Sequence, residues 1–165
     1  MWLLFFLTPF FGLYRFGIMP RTELGLIGIF ATPFLHANYT HLFANSVGLL
    51  SFGIVFAIIE GQHTSSVIGF IVVVGGLLTW VFGRSAMHIG ASGVVFGLFG
   101  YLTFLGFFHK RFAYILISVA TLVLFGTMIF GVLPLQRGIS FESHLFGFLA
   151  GALAAKLKPS QVASS

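Results

Sequence analysis

Long uncharged, apolar segments are the feature that most constrains how this chain can fold. Five of them contain no Asp, Glu, Lys or Arg: 1–14, 41–59, 66–82, 92–108 and 112–130. A sixth, 139–157, has the same character with Glu142 and Lys156 near its ends. A helix needs about 20 mostly apolar residues to cross the hydrocarbon core of a bilayer, in a range of about 17–25. The pattern therefore predicts an all-α, polytopic membrane protein with six transmembrane helices.

The composition supports a membrane protein of one domain. Hydrophobic residues make up 58% of the 165 residues and charged residues only 7%. Soluble domains carry about 25% charged residues, so this chain has too few polar side chains to cover a water-soluble globule. We expect a single membrane domain over 1–158. The tail at 159–165 is rich in Ser, with Pro and Gln, and is predicted to be disordered.

The charged residues indicate interfacial anchors rather than a nucleic-acid surface. The net charge is +5, but the cations stand singly or in pairs at the ends of apolar runs, where long cationic side chains reach the lipid headgroups. We therefore expect the lipid bilayer as a partner and no nucleic acid. With a cytoplasmic N-terminus, Lys and Arg divide evenly between the two sides, so the charges do not set the orientation.

Two segments fit the six-helix pattern less simply. The run 1–14 is short, and we interpret it as a first transmembrane helix that is truncated or strongly tilted. The stretch from Arg15 to Asn38 is long, contains Pro20 and Pro33 and is still largely apolar. We expect it to be an ordered loop that lies in the membrane interface.

Polar side chains within apolar helices are costly and are therefore candidates for a functional site. His41 and Asn45 lie four residues apart on one face of the second helix, and His36 lies just before it. His41 and Asn45 can donate hydrogen bonds to a ligand, or they can tie two membrane helices together instead. A metal site is less favoured, because no carboxylate or thiolate accompanies the pair.

Ser92 and His144 are the other two candidates. Ser92 lies in the string Gly90-Ala91-Ser92-Gly93 at the start of the fourth helix, where serine is also an ordinary helix cap. Stripes of small residues, which allow close helix packing, lie on the fourth and sixth helices: Gly93, Gly97 and Gly100, and Gly147, Gly151 and Ala155. Close packing of these helices would bring His144 beside Ser92. Generic helix packing explains the glycines but not the histidine.

A serine and a histidine in one site are the minimum for nucleophilic acyl transfer. Histidine can remove the serine proton and later protonate the leaving amine. The chain contains no Asp and no Cys, and Glu142 lies two residues from His144, so it points elsewhere on a helix. We therefore expect a Ser–His dyad rather than a triad with a carboxylate. His41, Asn45 and the backbone N–H groups near Ser92 are the available donors to an oxyanion.

The order and spacing of these residues resemble the rhomboid family of intramembrane serine proteases. Three strings carry the resemblance: His36-x4-His41-x3-Asn45, Gly90-x-Ser92-Gly93 and His144-x2-Gly147-x3-Gly151. The resemblance covers roughly 17–155. It implies a six-helix rhomboid-like bundle and a serine endopeptidase that hydrolyses peptide bonds in or near the transmembrane helices of membrane-protein substrates.

The resemblance also implies roles for single residues. By it, Ser92 is the nucleophile, His144 is the base, and His41 and Asn45 form the oxyanion hole. Residues in supporting positions are His36, Gly90, Gly93, Phe96, Gly147 and Gly151. Phe96 stands where an aromatic ring stacks on the base, and 134–140 matches a mobile cap over the site. No metal or cofactor is implied.

The resemblance further implies a multi-pass protein of the cell membrane with a cytoplasmic N-terminus. The first loop departs from the family pattern, because it lacks the Trp-Arg pair that many members carry. The oligomeric state and the natural substrate are not predicted.

Two other functions fit parts of the pattern. The first is a catalytically inactive rhomboid-like membrane chaperone or scaffold, which would bind helices without cutting them. Loss of Ser92 or His144 would indicate this function, but both residues are present. A small transporter, or a haem or metal carrier, could use the histidines but leaves the Gly-x-Ser-Gly string unexplained. The remaining histidines lie in predicted loops, and we interpret them as solvated or interfacial: His63, His88 and His109.

Overall fold

The computed structural model describes residues 1–135 and 138–159, so most of the predicted tail lies outside the described residues. Within these ranges the chain is helical, and its extended pairing is confined to a single bridge between Ile18 and His88. The α-helices are α1 (Trp2–Phe11), α2 (Glu23–Ala31), α3 (Tyr39–Glu60), α4 (Thr64–Phe82), α5 (Ser92–His109), α6 (Phe112–Phe125) and α7 (Phe141–Leu157). The predicted all-α class is confirmed.

Six of these helices, all except α2, correspond to the six predicted transmembrane segments. Four of them, α3, α4, α5 and α7, begin and end within two residues of the predicted bounds. The fifth segment, predicted at 112–130, is helical over Phe112–Val132, but it is α-helical only to Phe125 and continues as a 3-10 helix over Gly126–Val132. Gly126 disfavours continuation of the α-helix, and tighter 3-10 turns are common at helix ends.

The segment from Arg15 to Asn38 is ordered, as expected, but it contains a helix that was not predicted. The side chain of Thr22 accepts a hydrogen bond from the Gly25 N–H at 3.1 Å and so caps the N-terminus of α2. With nine residues, α2 is too short to cross a bilayer. It packs against α4 and is followed by a 3-10 helix, Thr32–Phe34, which leads to the start of α3.

The distribution of apolar surface is that of a multi-pass membrane protein. In the part of the chain that the structure describes, three continuous helical stretches are long and apolar enough to cross a membrane: Tyr39–Phe82, which contains α3 and α4, Ser92–His109 and Phe112–Val132. α5 lies at the centre, with eleven buried residues, whereas α6 buries only Ser118 and Thr121. Apolar side chains on α6 such as Leu124, which is 71% exposed, have lipid as their natural surroundings.

The small-residue stripes on α5 and α7 meet, as the sequence predicted. A methyl group at Gly147 would overlap the carbonyl oxygen of Gly93, and one at Gly151 would overlap the carbonyl oxygen of Gly97. Here the two backbones are in direct contact, with no side chain between them. Because Ser92 and His144 lie at the starts of these two helices, the contact places both residues at the same end of the bundle.

A buried polar network holds the opposite end of the bundle together. Glu60, at the end of α3, forms an ion pair of 2.6 Å with Lys158 and accepts a hydrogen bond from the hydroxyl of Tyr101 in α5. The side chains of Glu60 and Tyr101 are almost completely buried. Because each charge has a partner, the network links α3 and α5 to the residue that follows α7 without leaving a charge unpaired.

We predict that Gly151→Ala destabilises the protein, because the added methyl group must push α7 away from the Gly97 carbonyl. Overpacking of this kind costs about 1–3 kcal/mol in the free energy of unfolding. Thermal unfolding in detergent measures the effect. The control is Gly53→Ala in α3, where a methyl group meets no atom within 4 Å and the better helix former should leave stability unchanged or raised. Equal stability of the two variants would contradict the packing described.

Candidate active site

A cavity of about 990 Å³ lies among α3, α5, α7 and the loop between α4 and α5. Five predicted site residues line it: His41 and Asn45 from α3, Ser92 and Phe96 from α5, and His144 from α7. Asn45 and His144 are buried, whereas His41 and Ser92 are half-buried. The structure therefore brings residues from three separate sequence strings to one concave surface.

Backbone N–H groups of the loop that ends at Ser92 are hydrogen-bonded to the segment from Arg15 to Asn38. The Gly90 N–H donates to the carbonyl of Thr32 at 3.0 Å, and the Ala91 N–H donates to Nε2 of His36 at 3.4 Å. Gly90 has a φ of 118°, which only glycine adopts readily. Ser92 is the first residue of α5, directly after this fixed turn.

His36 supports this loop from outside the lining of the cavity. Burial and, second, the neighbouring His41 lower the pKa of His36 to about 4, so its imidazole is neutral at physiological pH. A neutral imidazole has one nitrogen free to accept a hydrogen bond, which agrees with the bond from Ala91. His36 thus contacts the backbone just before Ser92. The resemblance implies a supporting position for this residue.

His41 and Asn45 lie directly against the same turn. A Cβ atom at Gly90 would lie 2.5 Å from Cε1 of His41 and 3.4 Å from Nδ2 of Asn45. Nδ2 of Asn45 is buried and has no hydrogen-bond partner among the described residues. An unsatisfied buried donor costs about 1–3 kcal/mol, so this amide is available to a ligand that brings an acceptor into the cavity.

His144 is fixed on two sides. Its ring stacks on Phe96 with the centroids 4.1 Å apart and an angle of 8° between the planes, as the resemblance implied. Its Nδ1 is 2.9 Å from the carbonyl oxygen of Gly131. A carbonyl oxygen only accepts, so Nδ1 carries the proton and, in the neutral ring, Nε2 carries the lone pair. This bond orients the ring as a carboxylate does in a serine-protease triad.

Glu142 does not take part in this arrangement, as the sequence predicted. Its carboxylate accepts a hydrogen bond of 3.3 Å from the Arg84 N–H and forms an ion pair of 3.5 Å with the Arg84 side chain. Ser92 and His144 face the same cavity, although in the part of the chain that the structure describes no direct hydrogen bond joins them. Catalytic hydrogen bonds are often long in an unoccupied site and shorten when substrate binds.

The interpretation of His88 as solvated or interfacial was wrong. This side chain is 1% exposed, and it lies in the lining of the cavity. Its Nδ1 is hydrogen-bonded to the hydroxyl of Ser140, and its Nε2 is 3.2 Å from the carbonyl of Arg84. His63 is exposed, as expected, whereas His109 is half-buried and contacts the carbonyl of Ala155 at 2.8 Å. His88 lies four residues before Ser92, and this spacing was the one sequence signal that could have singled it out.

The predicted cap at 134–140 is described only in part, because residues 136 and 137 lie outside the described residues. Gly138, Ile139 and Ser140 line the cavity. The side chain of Arg84 donates to the carbonyl of Ile139 at 2.6 Å and fastens this segment to the loop between α4 and α5.

The family model of the Rhomboid domain matches residues 23–160, a range that includes every residue in the lining of the cavity. The chain belongs to the rhomboid family. "Uncharacterized protein Rv1337" of Mycobacterium tuberculosis (strain ATCC 25618 / H37Rv) is 35% identical over 150 residues, which are 86% of this chain and 62% of that protein.

Two relatives carry the name of the family. "Putative rhomboid protease YdcA" of Bacillus subtilis (strain 168) is 30% identical, over 72% of this chain and 60% of its own length. "RHOMBOID-like protein 1" of Arabidopsis thaliana is 30% identical, over 76% of this chain and 32% of its own length. This rhomboid chain spans about three-fifths of the length of the bacterial relatives it matches. No solved structure matches it significantly.

We predict that neutral His144 is the Nδ1–H tautomer, because Nδ1 faces the Gly131 carbonyl. Nitrogen-15 NMR of histidine-labelled protein in detergent distinguishes the two tautomers, and loss of the signals in His144→Gln assigns them. A protonated Nε2 in the neutral ring would contradict the orientation described, because that nitrogen could then not accept a proton.

Proposed function

We propose that this rhomboid protein is an intramembrane serine endopeptidase that uses Ser92 and His144 as a catalytic dyad. The observation that carries the proposal is the single cavity lined by Ser92, His144, His41 and Asn45 within a family-typical helical bundle. Each of the three functions needed for acyl transfer has a residue at this surface: a nucleophile, a base whose free nitrogen is Nε2, and donors for an oxyanion.

The proposed reaction begins with attack by Oγ of Ser92 on the carbonyl carbon of the scissile peptide, while Nε2 of His144 takes the hydroxyl proton. The negative charge that develops on the carbonyl oxygen is stabilised by Nδ2 of Asn45, by His41 and by backbone N–H groups at the start of α5. Nδ2 of Asn45 suits this role, because it has no partner among the described residues.

The intermediate then collapses, and the leaving amine takes the proton from His144 as the C–N bond breaks. This leaves an ester between the substrate carbonyl and Ser92. A water molecule, deprotonated by His144, attacks the ester and releases the new carboxylate, while Ser92 recovers its proton. The Gly131 carbonyl keeps the ring oriented throughout, because its bond to Nδ1–H strengthens as His144 becomes positively charged.

The proposed substrates are membrane proteins whose transmembrane helices reach the cavity from the lipid. The bundle presents apolar side chains around a cavity that holds the polar side chains of the proposed site, so a substrate helix can remain in lipid until its backbone is exposed to Ser92. A helix must unwind to present its scissile carbonyl, because its backbone groups are bonded to one another. We place the protein in the cell membrane with a cytoplasmic N-terminus, which puts the site near the outer surface.

We predict that the purified protein in proteoliposomes cuts a transmembrane peptide that contains helix-weakening residues at a discrete bond in or beside the helix. Ser92→Ala and His144→Ala should each lower kcat by more than about 10³-fold, because each removes a group that the reaction cannot replace. Mass spectrometry of the products measures both the bond and the rate. The control is Ser66→Ala at the opposite end of the bundle, which should cut at the wild-type rate.

A folded wild-type protein that cuts none of several such peptides would contradict the proposal. The cavity would then be read as a helix-binding surface, and Ser92 as the first residue of a helix with no chemical role. Binding of the uncut peptides with micromolar affinity would support that second function, a rhomboid-like chaperone or scaffold.

A further inference from the structure

A hydrogen bond between buried His88 and half-buried Ser140 links the two segments that carry the dyad. His88 lies four residues before Ser92, and Ser140 lies four residues before His144. Nδ1 of His88 is hydrogen-bonded to the hydroxyl of Ser140, and that hydroxyl is joined to the hydroxyl of Ser143 by a hydrogen bond of 2.8 Å. The link therefore runs from the loop before α5 to the first turn of α7.

The contacts of His88 define its protonation state and hold its ring. Burial lowers the pKa of His88, so the ring is neutral and carries one proton. Nε2 faces the carbonyl of Arg84 at 3.2 Å, so it carries that proton. Nδ1 accepts the single proton of the Ser140 hydroxyl, so in the bond between the two serine hydroxyls the proton comes from Ser143. The backbone N–H and carbonyl of His88 both pair with Ile18, at 2.9 Å and 3.0 Å.

A second link between the same two segments is more exposed. Arg84 binds Glu142 and the Ile139 carbonyl, but its side chain is 45% exposed, and exposed ion pairs contribute about 0–1 kcal/mol. His88 is 1% exposed, and like Arg84 it lies in the lining of the cavity. A hydrogen bond made by a buried side chain constrains geometry more strongly than an exposed ion pair, so His88 is the better determinant of how the two segments lie relative to each other.

We infer that His88 is a positioning residue for the proposed protease reaction: through Ser140 it fixes the start of α7, and thereby His144, relative to Ser92. This inference rests on the proposed function of the dyad. His88 touches neither the nucleophile nor the base, and it acts on the distance between them. A displacement of about 1 Å between reacting groups can lower a rate by about 10²-fold.

The test is steady-state cleavage of a transmembrane peptide in proteoliposomes by His88→Ala, Ser140→Ala and the double variant. Each single variant should lower kcat by about 10- to 100-fold with KM unchanged, because substrate still binds while the dyad is displaced. The double variant should be no slower than the slower single variant, because both changes break the same link. His88→Gln should restore most of kcat, since its amide can accept from Ser140 and donate to Arg84.

The matched control is His109→Ala. It also removes a hydrogen bond between a histidine and the α7 segment, but this one joins His109 to the carbonyl of Ala155 at 2.8 Å, at the other end of the helix. We expect both His88→Ala and His109→Ala to lower thermal stability, because each removes a hydrogen bond. Only His88→Ala should also lower kcat. If His88→Ala does not fold, Ser140→Ala carries the test, because it removes a single hydroxyl group.

Wild-type kcat in the folded His88→Ala and Ser140→Ala variants would overturn the inference while leaving the proposed function standing. Additive losses in the double variant would overturn it as well, because the two side chains would then act separately. A wild-type protein that cuts no peptide would overturn the proposed function and the inference together, so the two failures are distinguishable.

Discussion

The backbone contact between α5 and α7 is the interaction on which the rest of the structure depends. The Gly147 and Gly151 positions of α7 press on the carbonyl oxygens of Gly93 and Gly97, and no larger residue fits there. Lipid supplies no hydrophobic drive for helices to associate, so close van der Waals contact of this kind is what holds membrane helices together. The same contact sets the separation of the two helix starts, where Ser92 and His144 lie.

The groups that hold Ser92 and His144 in place are hydrogen-bonded to residues of other segments. The backbone N–H groups of the turn before Ser92 donate to Thr32 and His36, and Nδ1 of His144 is hydrogen-bonded to the Gly131 carbonyl. In an apolar bundle an unpaired polar group is costly, so these bonds make the site rigid. Nδ2 of Asn45, in contrast, is buried in the lining of the cavity with no hydrogen-bond partner among the described residues, at the position where the proposed reaction develops charge.

Much of this architecture could be predicted from the sequence, because lipid imposes one-dimensional rules. The extent of the uncharged apolar runs predicted the bounds of α3, α4, α5 and α7 to within two residues. Small residues at helical spacing predicted the α5–α7 contact. α2 was missed, because a short helix packed in a loop leaves no long apolar run. The partners of His88 and His144 were missed too, since bonds to Ser140 and to the Gly131 carbonyl depend on how distant loops fold back.

In the proposed protease, the α5–α7 contact makes Ser92 reactive by holding it beside His144. Labelling by a fluorophosphonate probe, with the modified residue identified by mass spectrometry, measures this reactivity. We expect Ser92 to be labelled in the wild type and in Gly69→Ala, where a methyl group meets no atom within 4 Å, but far more slowly in His144→Ala and Gly147→Ala. Labelling of Ser92 at the wild-type rate in Gly147→Ala or His144→Ala would show that neither the contact nor the histidine controls its reactivity.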